Sequence, residues 1–468
     1  MKTLDRYIVR NFVSAVVLWF AILLSLRVIG DMFVKLDEFT EQKLGFGGTV
    51  QNIASYYGHQ SLVYFAQLGG VIIVIAAGTT LAIMNRTNEL TAILASGVSL
   101  HRVVWPIVLC AMLMGGLIIF DQEVLIPRVA HQLVRSPDDV AGTEEFAVRL
   151  ITDGQNDSWY SQSFTAADQI LRKPLVFLRD KEFNALGLIW GETGRHSDSG
   201  EQRGWLISDG VLVRAGTKWR NTPSVEKVYT NLSLEEILQK AQSSSGKPIP
   251  GDQKVFLRPI IIHDGGYGLW IEAESLEVDP VVPGRPRQGR LIEPKFTFAV
   301  KQGPAGKTQT KTLGQFRASS ATWQPKQTGD DENDHWALAD GVLFCPSDLT
   351  GEDLILRRSS RWLDYMSTSQ LNRLMKLQRV PEATLLIRHI RFTEPINNLI
   401  MLLLGVPFVL SRERRIKASI AMGLLMVGTF FAFIYVCRYM DLPPTLAAWL
   451  PILLFGPVAV LMVDSVKT

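Results

Sequence analysis

Two cations beside an apolar stretch near the amino terminus are the first residues whose chemistry needs an explanation. The stretch runs from Phe12 to Phe33, with Arg27 inside it and Lys35 just beyond its end. A charge within a membrane span is costly, and it usually faces protein, water or a ligand. The guanidinium of Arg27 suits a phosphate because it can donate two parallel hydrogen bonds. The alternative is that Arg27 extends to the lipid headgroups without binding a specific ligand.

A second candidate is the short segment between two apolar stretches, "RTNELTAILASGVSLHRVVWP" (Arg86–Pro106). Thr87 or Asn88 could cap a helix there, with Glu89 in its first turn. Apolar residues at helical spacing then form one stripe: Leu90, Ile93, Leu94 and Val98. Gly97 interrupts this pattern. The segment therefore predicts a short amphipathic helix near residues 87–98, which either lies on the lipid surface or docks into a cytoplasmic motor protein.

Catalytic and metal chemistry find little support in the sequence. "GPAGKT" (Gly303–Thr308) resembles a phosphate loop, but that motif needs a glycine where Lys301 stands. The seven histidines are scattered without metal-ligand spacing. The net charge of +3 is too small to suggest a nucleic-acid binder. We therefore expect no enzyme activity in this chain and no cofactor.

Six apolar stretches must position these residues, since a span needs roughly 20 mostly apolar residues. The six are Phe12–Phe33, Leu62–Met84, Val103–Asp121, Phe392–Leu410, Ala418–Cys437 and Thr445–Val463. Basic residues flank the cytoplasmic ends of spans. They occur in the amino-terminal segment and in "SRERRIK" between spans four and five. This bias predicts that both termini and the Arg86–Arg102 segment are cytoplasmic and that the large middle region lies on the other side.

The middle region is polar, and its sequence pattern predicts mainly β-strands. Two stretches within it are alike, "GWLISDGVLV" (Gly204–Val213) and "HWALADGVLF" (His335–Phe344). In each, alternating apolar residues flank an Asp-Gly pair, which predicts a hairpin. Each is followed by a capping-box pair, Ser233 with Glu236 and Ser367 with Gln370. The pattern suggests a partly duplicated unit, with chance convergence as the alternative.

Four segments in the correct order resemble one family. They are the Arg86–Pro106 segment, LDRYIVRNF (Leu4–Phe12), VLIPRVAHQL (Val124–Leu133) and RHIRFTEPINNLIMLLLGVPFVLSRERR (Arg388–Arg415). Together they resemble the LptF/LptG (YjgP/YjgQ) permeases. The resemblance covers both membrane halves well and the middle in part. It implies an α-helical membrane protein with six transmembrane helices and a large inserted periplasmic β-rich, β-jellyroll-like domain. The corresponding boundaries are 1–123, 124–390 and 391–468.

The resemblance also implies partners and roles. Such a permease pairs with a second permease, or with itself, and with a dimer of cytoplasmic ABC ATPase subunits in the inner membrane. The complex extracts lipopolysaccharide and passes it to a periplasmic bridge protein. Spans one and five would line the lipid cavity. The ATPase would contact Arg86, Glu89, Leu90, Ile93, Leu94 and Gly97. Independently of the resemblance, the residue types of span one predict lipid contacts at Trp19, Phe20, Arg27 and Lys35.

Two rival interpretations remain at this point. A permease of the same architecture could move another envelope lipid or a lipoprotein, and fewer basic residues facing its cavity would then be expected. A membrane-anchored periplasmic scaffold would only bind partners, and it would have no use for a docking helix at Glu89–Gly97.

Overall fold

The computed structural model describes residues 3–40, 45–134, 145–198, 203–216, 222–245, 255–266, 268–282, 287–302, 309–326, 334–375, 382–410 and 416–464. Contacts divide the chain into two compact units. The helical unit comprises Met1–Val140 with Ser359–Thr468, and the β unit comprises Ala141–Arg358. The Gly303–Thr308 segment and the arginines of "SRERR" lie outside the described residues.

The helical unit contains six helices long and apolar enough to cross a membrane, which confirms the predicted number of spans. Its helices are α1 (Thr3–Thr40), α2 (Gly45–Arg86), α3 (Glu89–Ala95), α4 (Leu100–Phe120), α5 (Ile126–Leu133), α8 (Thr368–Leu374), α9 (Glu382–Leu410), α10 (Ile416–Tyr439) and α11 (Pro444–Asp464), with a π-helix (Asp121–Leu125) joining α4 to α5. A 3-10 turn (Trp362–Tyr365) precedes α8.

Burial differs strongly among the six spans. In α2 and in α9, 56% of the most apolar window is buried, whereas in α1 only 11% is buried. Helices α10 and α11 lie near the lower value, at 22% each. The bundle is therefore built around α2, α9 and α4, and the apolar sides of α1, α10 and α11 are left for lipid or for another protein.

The β unit holds eighteen strands and two helices among the described residues. The strands are β1 (Glu145–Thr152), β2 (Ser158–Thr165), β3 (Ile170–Arg179), β4 (Ala185–Trp190), β5 (Thr193–Asp198), β6 (Arg203–Ser208), β7 (Val211–Arg214), β8 (Lys227–Tyr229), β9 (Val255–Leu257), β10 (Ile260–Asp264), β11 (Leu269–Ala273), β12 (Ser275–Val278), β13 (Gly289–Ile292), β14 (Lys295–Gln302), β15 (Gln309–Arg317), β16 (Ser320–Gln324), β17 (His335–Ala339) and β18 (Val342–Pro346). The helices are α6 (Leu234–Ser245) and α7 (Gly351–Leu356).

These strands form two antiparallel sheets around one apolar core. The larger sheet has the order β1-β2-β3-β5-β6-β18-β15-β14-β11-β10, with β4 paired to β3 and β7. The smaller sheet has the order β8-β17-β16-β13-β12-β9. Phe296 of the larger sheet and Trp336 of the smaller one meet with ring centroids 6.5 Å apart. The predicted β-rich middle region is thus confirmed as a two-sheet sandwich.

The predicted Asp-Gly hairpins are wrong. Within the described residues, β6 pairs with β5 and β18 while β7 pairs with β4. Likewise β17 lies in the smaller sheet and β18 in the larger one. The chain turns at each Asp-Gly pair, and the strands before and after the turn pair with different neighbouring strands.

Turn geometry explains why the same dipeptide appears twice. Asp209 and Asp340 both adopt left-handed backbone, with φ of 50° and 54°, a conformation that aspartate tolerates better than most residues. A side chain at Gly341 would lie 1.9 Å from the Val225 carbonyl oxygen, so glycine is required there. Trp205 and Trp336, which precede the two turns, are both fully buried. The duplication itself stays a hypothesis.

The helical unit and the β unit end at different residues from the expected domain boundaries near 123 and 390. The helix of the third span continues past residue 123, through the π-helix, to Leu133. Residues 359–375 also belong to the helical unit, because Arg391 of α9 binds carbonyl oxygens of Asp364 and Met366. The capping box predicted at Ser367 and Gln370 is formed at the start of α8.

Candidate functional site

A polar cavity of about 360 Å³ lies within the helical unit. Its lining includes four arginines and two acidic residues: Arg27, Arg361, Arg391, Arg438, Asp364 and Glu394. Gln67, Gln122, Tyr435 and Tyr439 add further hydrogen-bonding groups. Positive charge therefore exceeds negative charge in the lining, within a bundle that is otherwise strongly apolar.

Chain direction places this cavity at one end of the bundle. Arg27 and Arg438 lie in the later parts of α1 and α10, whereas Arg391 lies near the start of α9. Helix α3 follows the end of α2 and precedes the start of α4. Because these helices run in alternating directions, the cavity and α3 belong to opposite ends of the unit.

Aromatic rings hold two of the arginines at the cavity wall. The Arg27 guanidinium lies 5.2 Å from the ring centroid of Tyr64 on α2. The Arg438 guanidinium lies 5.8 Å from the ring of Tyr435, one turn earlier in α10. A ring face orients a guanidinium without occupying its five N–H donors. Both residues thus keep donors that a ligand could use.

Arg391 has a different role, because protein acceptors surround it. It donates to Glu123 Oε1 at 3.1 Å and to the backbone oxygens of Asp364 and Met366. Glu123 also accepts the backbone N–H of Thr368 at 2.8 Å, at the first turn of α8, where the helix dipole favours a carboxylate. Arg391 and Glu123 therefore fix one wall of the cavity.

The π-helix shapes the next part of the wall. It turns Gln122 toward α9, where its amide donates to Glu394 Oε2 at 3.2 Å. It also buries Asp121, whose two carboxylate oxygens have no hydrogen-bond partner among the described residues. Such π-helical insertions occur often at functional sites. Sequence periodicity gave no signal for it.

The predicted lipid contacts divide between the cavity and the α1–α2 interface. Arg27 lines the cavity, but Lys35 is engaged by Asp31 at 3.1 Å and by the Tyr56 hydroxyl at 2.8 Å. Trp19 donates to Thr79 Oγ1 at 3.0 Å, and Phe20 packs edge-on against Phe65. Of the four, only Arg27 is brought to the cavity.

The predicted short amphipathic helix is present as α3, although it is shorter than the expected 87–98. Leu90 is buried, Ile93 and Leu94 are half-buried, and Arg86 and Gly97 are exposed. Asn88 precedes the helix in left-handed backbone and makes no side-chain cap. The apolar stripe thus anchors α3 to the bundle and leaves its opposite face accessible.

A hydrogen bond from α1 fixes the start of α3, and a glycine-containing turn fixes its end. The Tyr7 hydroxyl of α1 donates to Glu89 Oε2 at 2.8 Å, across a sequence separation of 82 residues. At the other end, Gly97 has a φ of 82°. Its N–H binds the Leu94 carbonyl oxygen, and the Val98 N–H binds that of Ile93. This pair of bonds is the Schellman motif, which favours glycine at the left-handed position.

Sequence reasoning found Arg27 and α3 but missed most of the cavity. Arg361, Arg391 and Arg438 come from three segments that no periodic pattern relates. One signal was available, since Arg391 and Arg438 sit beside apolar spans where charge is unfavourable. In the described part of the chain, no group of three or more His, Cys, Asp or Glu residues could hold a metal ion.

Two comparisons with known proteins bear on the identity of the chain. A search of curated proteins finds no match. A family profile described as "Lipopolysaccharide export system permease LptF/LptG" matches residues 6–464, which is nearly the whole chain. Together with the six apolar helices, this match identifies a multi-pass inner-membrane protein that belongs to the LptF/LptG family of lipopolysaccharide export permeases.

Proposed function

We propose that this chain is the membrane subunit of an ATP-driven exporter, which takes lipopolysaccharide from the inner membrane and passes it to a periplasmic bridge protein. The observation that carries the proposal is the arginine-lined cavity at the end of the bundle opposite α3. One end would hold the anionic head of the lipid, and the other would receive the movement of the ATPase.

The orientation follows from basic residues at the α3 end. Arg6 and Arg10 lie at the start of α1, and Arg86 and Arg102 flank α3. Basic residues are enriched on the cytoplasmic side of spans. The α3 end is then cytoplasmic, the cavity opens near the periplasmic side, and the β unit is periplasmic.

A phosphorylated glycolipid fits the charge of the cavity. Arg27 and Arg438 are held by aromatic rings at its wall, and guanidinium groups bind phosphate through paired hydrogen bonds. The acyl chains would lie against the exposed apolar side of α1, which includes Leu18 and Leu26. The weak burial of α1 and α10 leaves both helices available to a second permease.

The cytoplasmic ATPase would contact the exposed face of α3. That face contains Thr91, Ala92, Ala95 and Ser96, with Arg86 beside it. Leu90, Ile93 and Leu94 would transmit movement, because they bind α3 to the bundle instead of facing outward. Helix α3 would therefore have two surfaces: an outer contact surface for the ATPase, and an inner apolar face that anchors it to the bundle.

Photo-crosslinking in the assembled complex tests the proposal. A photoreactive residue at position 27 or 438 should capture lipopolysaccharide, whereas one at position 461, on the exposed side of α11, should capture mainly phospholipid. Arg27→Ala should lower capture at position 438 about tenfold, because a charge-assisted hydrogen bond contributes roughly 1.5–3 kcal/mol. Arg128→Ala, on an exposed part of α5, is the matched control.

The rival cargo gives a different result. A permease for a lipid without phosphate would show no dependence of capture on Arg27. A membrane-anchored scaffold would show no ATP-dependent change in capture at any position. Either outcome would overturn the proposal and leave the family membership standing.

A further inference from the structure

Two grooves at the start of α4 remain unexplained by the cavity or by α3. The first, of about 530 Å³, lies between α1 and α4. It is lined by Val9, Pro106 and Leu109 and by the polar residues Asp5, His101 and Arg102. The second, of about 290 Å³, lies between α4, α9 and α11 and is almost wholly apolar.

A ridge of two side chains separates the grooves. His101 and Trp105 line both of them. The two residues are four positions apart on α4, so they lie one above the other on the same helix face. Trp105 is 66% exposed, so both faces of its ring are accessible to an apolar ligand. Two apolar channels on either side of one ridge match the two acyl chains of a phospholipid.

The polar groups lie where a phospholipid head would be. Arg102 and His101 are in the first turn of α4, three and four residues before Trp105. Tryptophan is enriched at the level of lipid headgroups, and basic pockets between helices on the cytoplasmic side bind anionic headgroups. Asp5 lines the same groove and opposes an anion, so the selectivity of the site depends on Arg102.

We propose that the start of α4 binds an anionic two-chain phospholipid of the cytoplasmic leaflet. Its phosphate contacts Arg102 and His101, and its chains lie on the two sides of Trp105. The assignment of leaflet rests on the orientation proposed above. Arg102 follows Gly97, at the end of α3, by five residues. The bound lipid would therefore also stabilise the position of α3 on the bundle.

Native mass spectrometry of the detergent-purified full chain tests this site. Wild-type protein should bind phosphatidylglycerol about fivefold more tightly than phosphatidylcholine, since one basic residue near an anionic lipid contributes about 1 kcal/mol. Arg102→Gln should remove this preference, and Arg128→Gln should keep it. Glycerol phosphate, which lacks chains, should not compete at the same concentration.

A second variant keeps the test decisive. Leu109→Trp fills the first groove, so it should lower binding of both phospholipids about equally. Equal affinity of wild-type protein for both lipids, a phosphatidylcholine preference, or an unchanged preference in Arg102→Gln would overturn the site. None of these binding measurements uses lipopolysaccharide or the ATPase, so failure of the transport proposal would leave their results unaffected. The leaflet is tested separately by labelling His101→Cys in intact cells with an impermeant thiol reagent.

Discussion

The β unit and the helical unit both contain cationic side chains among apolar residues, but they surround them differently. In the β unit, Lys311 Nζ donates to Asp157 Oδ1 at 2.6 Å, to the Gln155 carbonyl at 2.9 Å and to the Arg179 carbonyl at 2.6 Å. All three ammonium hydrogens therefore have acceptors. In the helical unit, Arg27 and Arg438 face aromatic rings at the wall of an open cavity. An enclosed, saturated cation indicates a structural role, whereas a cation at a cavity wall retains donors for a ligand.

Lys311→Met should have the largest effect, because it breaks the enclosed network of the β unit. Removing one partner of a buried ion pair costs roughly 3–5 kcal/mol, since the other charge is left unpaired. We expect amides of β2 and β3 to lose protection in hydrogen exchange followed by mass spectrometry. Lys301→Met, at an exposed position on the neighbouring strand β14, should change little.

The pH dependence of that variant sharpens the prediction. Burial raises the pKa of Asp157 to about 6, with the Asp153 carboxylate adding to the rise and the Lys311 ammonium opposing it. A folded-state pKa above the ordinary 3.8 means that the contribution of Asp157 to stability is present below about pH 4 and is lost as pH rises through 6. Without Lys311 this loss grows. Lys311→Met should therefore destabilise the β unit more at pH 8 than at pH 5, and an equal effect at both would contradict the role of the ion pair.

Glu123→Gln should come next in size, because it weakens the wall of the cavity. It removes the charge partner of Arg391 and a carboxylate from the start of α8. Hydrogen bonds to charged groups contribute roughly 1.5–3 kcal/mol, so we expect about 2 kcal/mol of destabilisation in thermal unfolding of the detergent-purified chain. Glu382→Gln, exposed at the start of α9, is the control. If both variants unfold alike, the Glu123–Arg391 contact does not organise the wall.

The sequence predicted the helical unit far better than its cavity. Spans are visible because each contains enough consecutive apolar residues to cross a bilayer, and helix α3 is visible because Leu90, Ile93 and Leu94 repeat at helical spacing. The cavity brings together Arg27, Arg391 and Arg438. Arg27 precedes the other two by several hundred residues, and the three share no local pattern. The π-helix adds a further difficulty, because its wider turn changes the face on which Gln122 lies.

The β unit shows the corresponding limit for strands. The β-rich character of the middle region was correctly predicted, and the successive strands β3 and β4 do pair. The Asp-Gly signals were recognised, but their partners were not. Strand β6 pairs with β18, which is more than one hundred residues later. Turn chemistry reports a local reversal of the chain, and it cannot report which strand will lie alongside.

Gly97→Ala should have a smaller effect, confined to the end of α3. Its φ of 82° is unfavourable for alanine by about 1 kcal/mol, although no atom lies within 4 Å of the added methyl group. We expect faster hydrogen exchange at Gly97 and Val98, whose N–H groups close the Schellman motif. Gly116→Ala in α4, which also has open space around it and no unusual φ, should instead be neutral or slightly stabilising.

Tyr7→Phe should have the smallest effect, and it tests how Glu89 works. The change removes the hydroxyl that donates to Glu89 and keeps the ring. Water competes for the Glu89 carboxylate, which is only half-buried. We therefore expect this hydrogen bond to contribute about 0.5 kcal/mol, the low end of the range, and its loss to lower ATPase stimulation by the assembled complex roughly twofold. If Glu89 acts by fixing α3 to α1, Glu89→Met, which removes the acceptor oxygens, should give a defect of similar size, and the double variant should add little to either change. If Glu89 instead contacts the ATPase directly, Glu89→Met should be much more severe than Tyr7→Phe, and the two defects should add. Additive defects would therefore assign the carboxylate to the outer contact surface of α3.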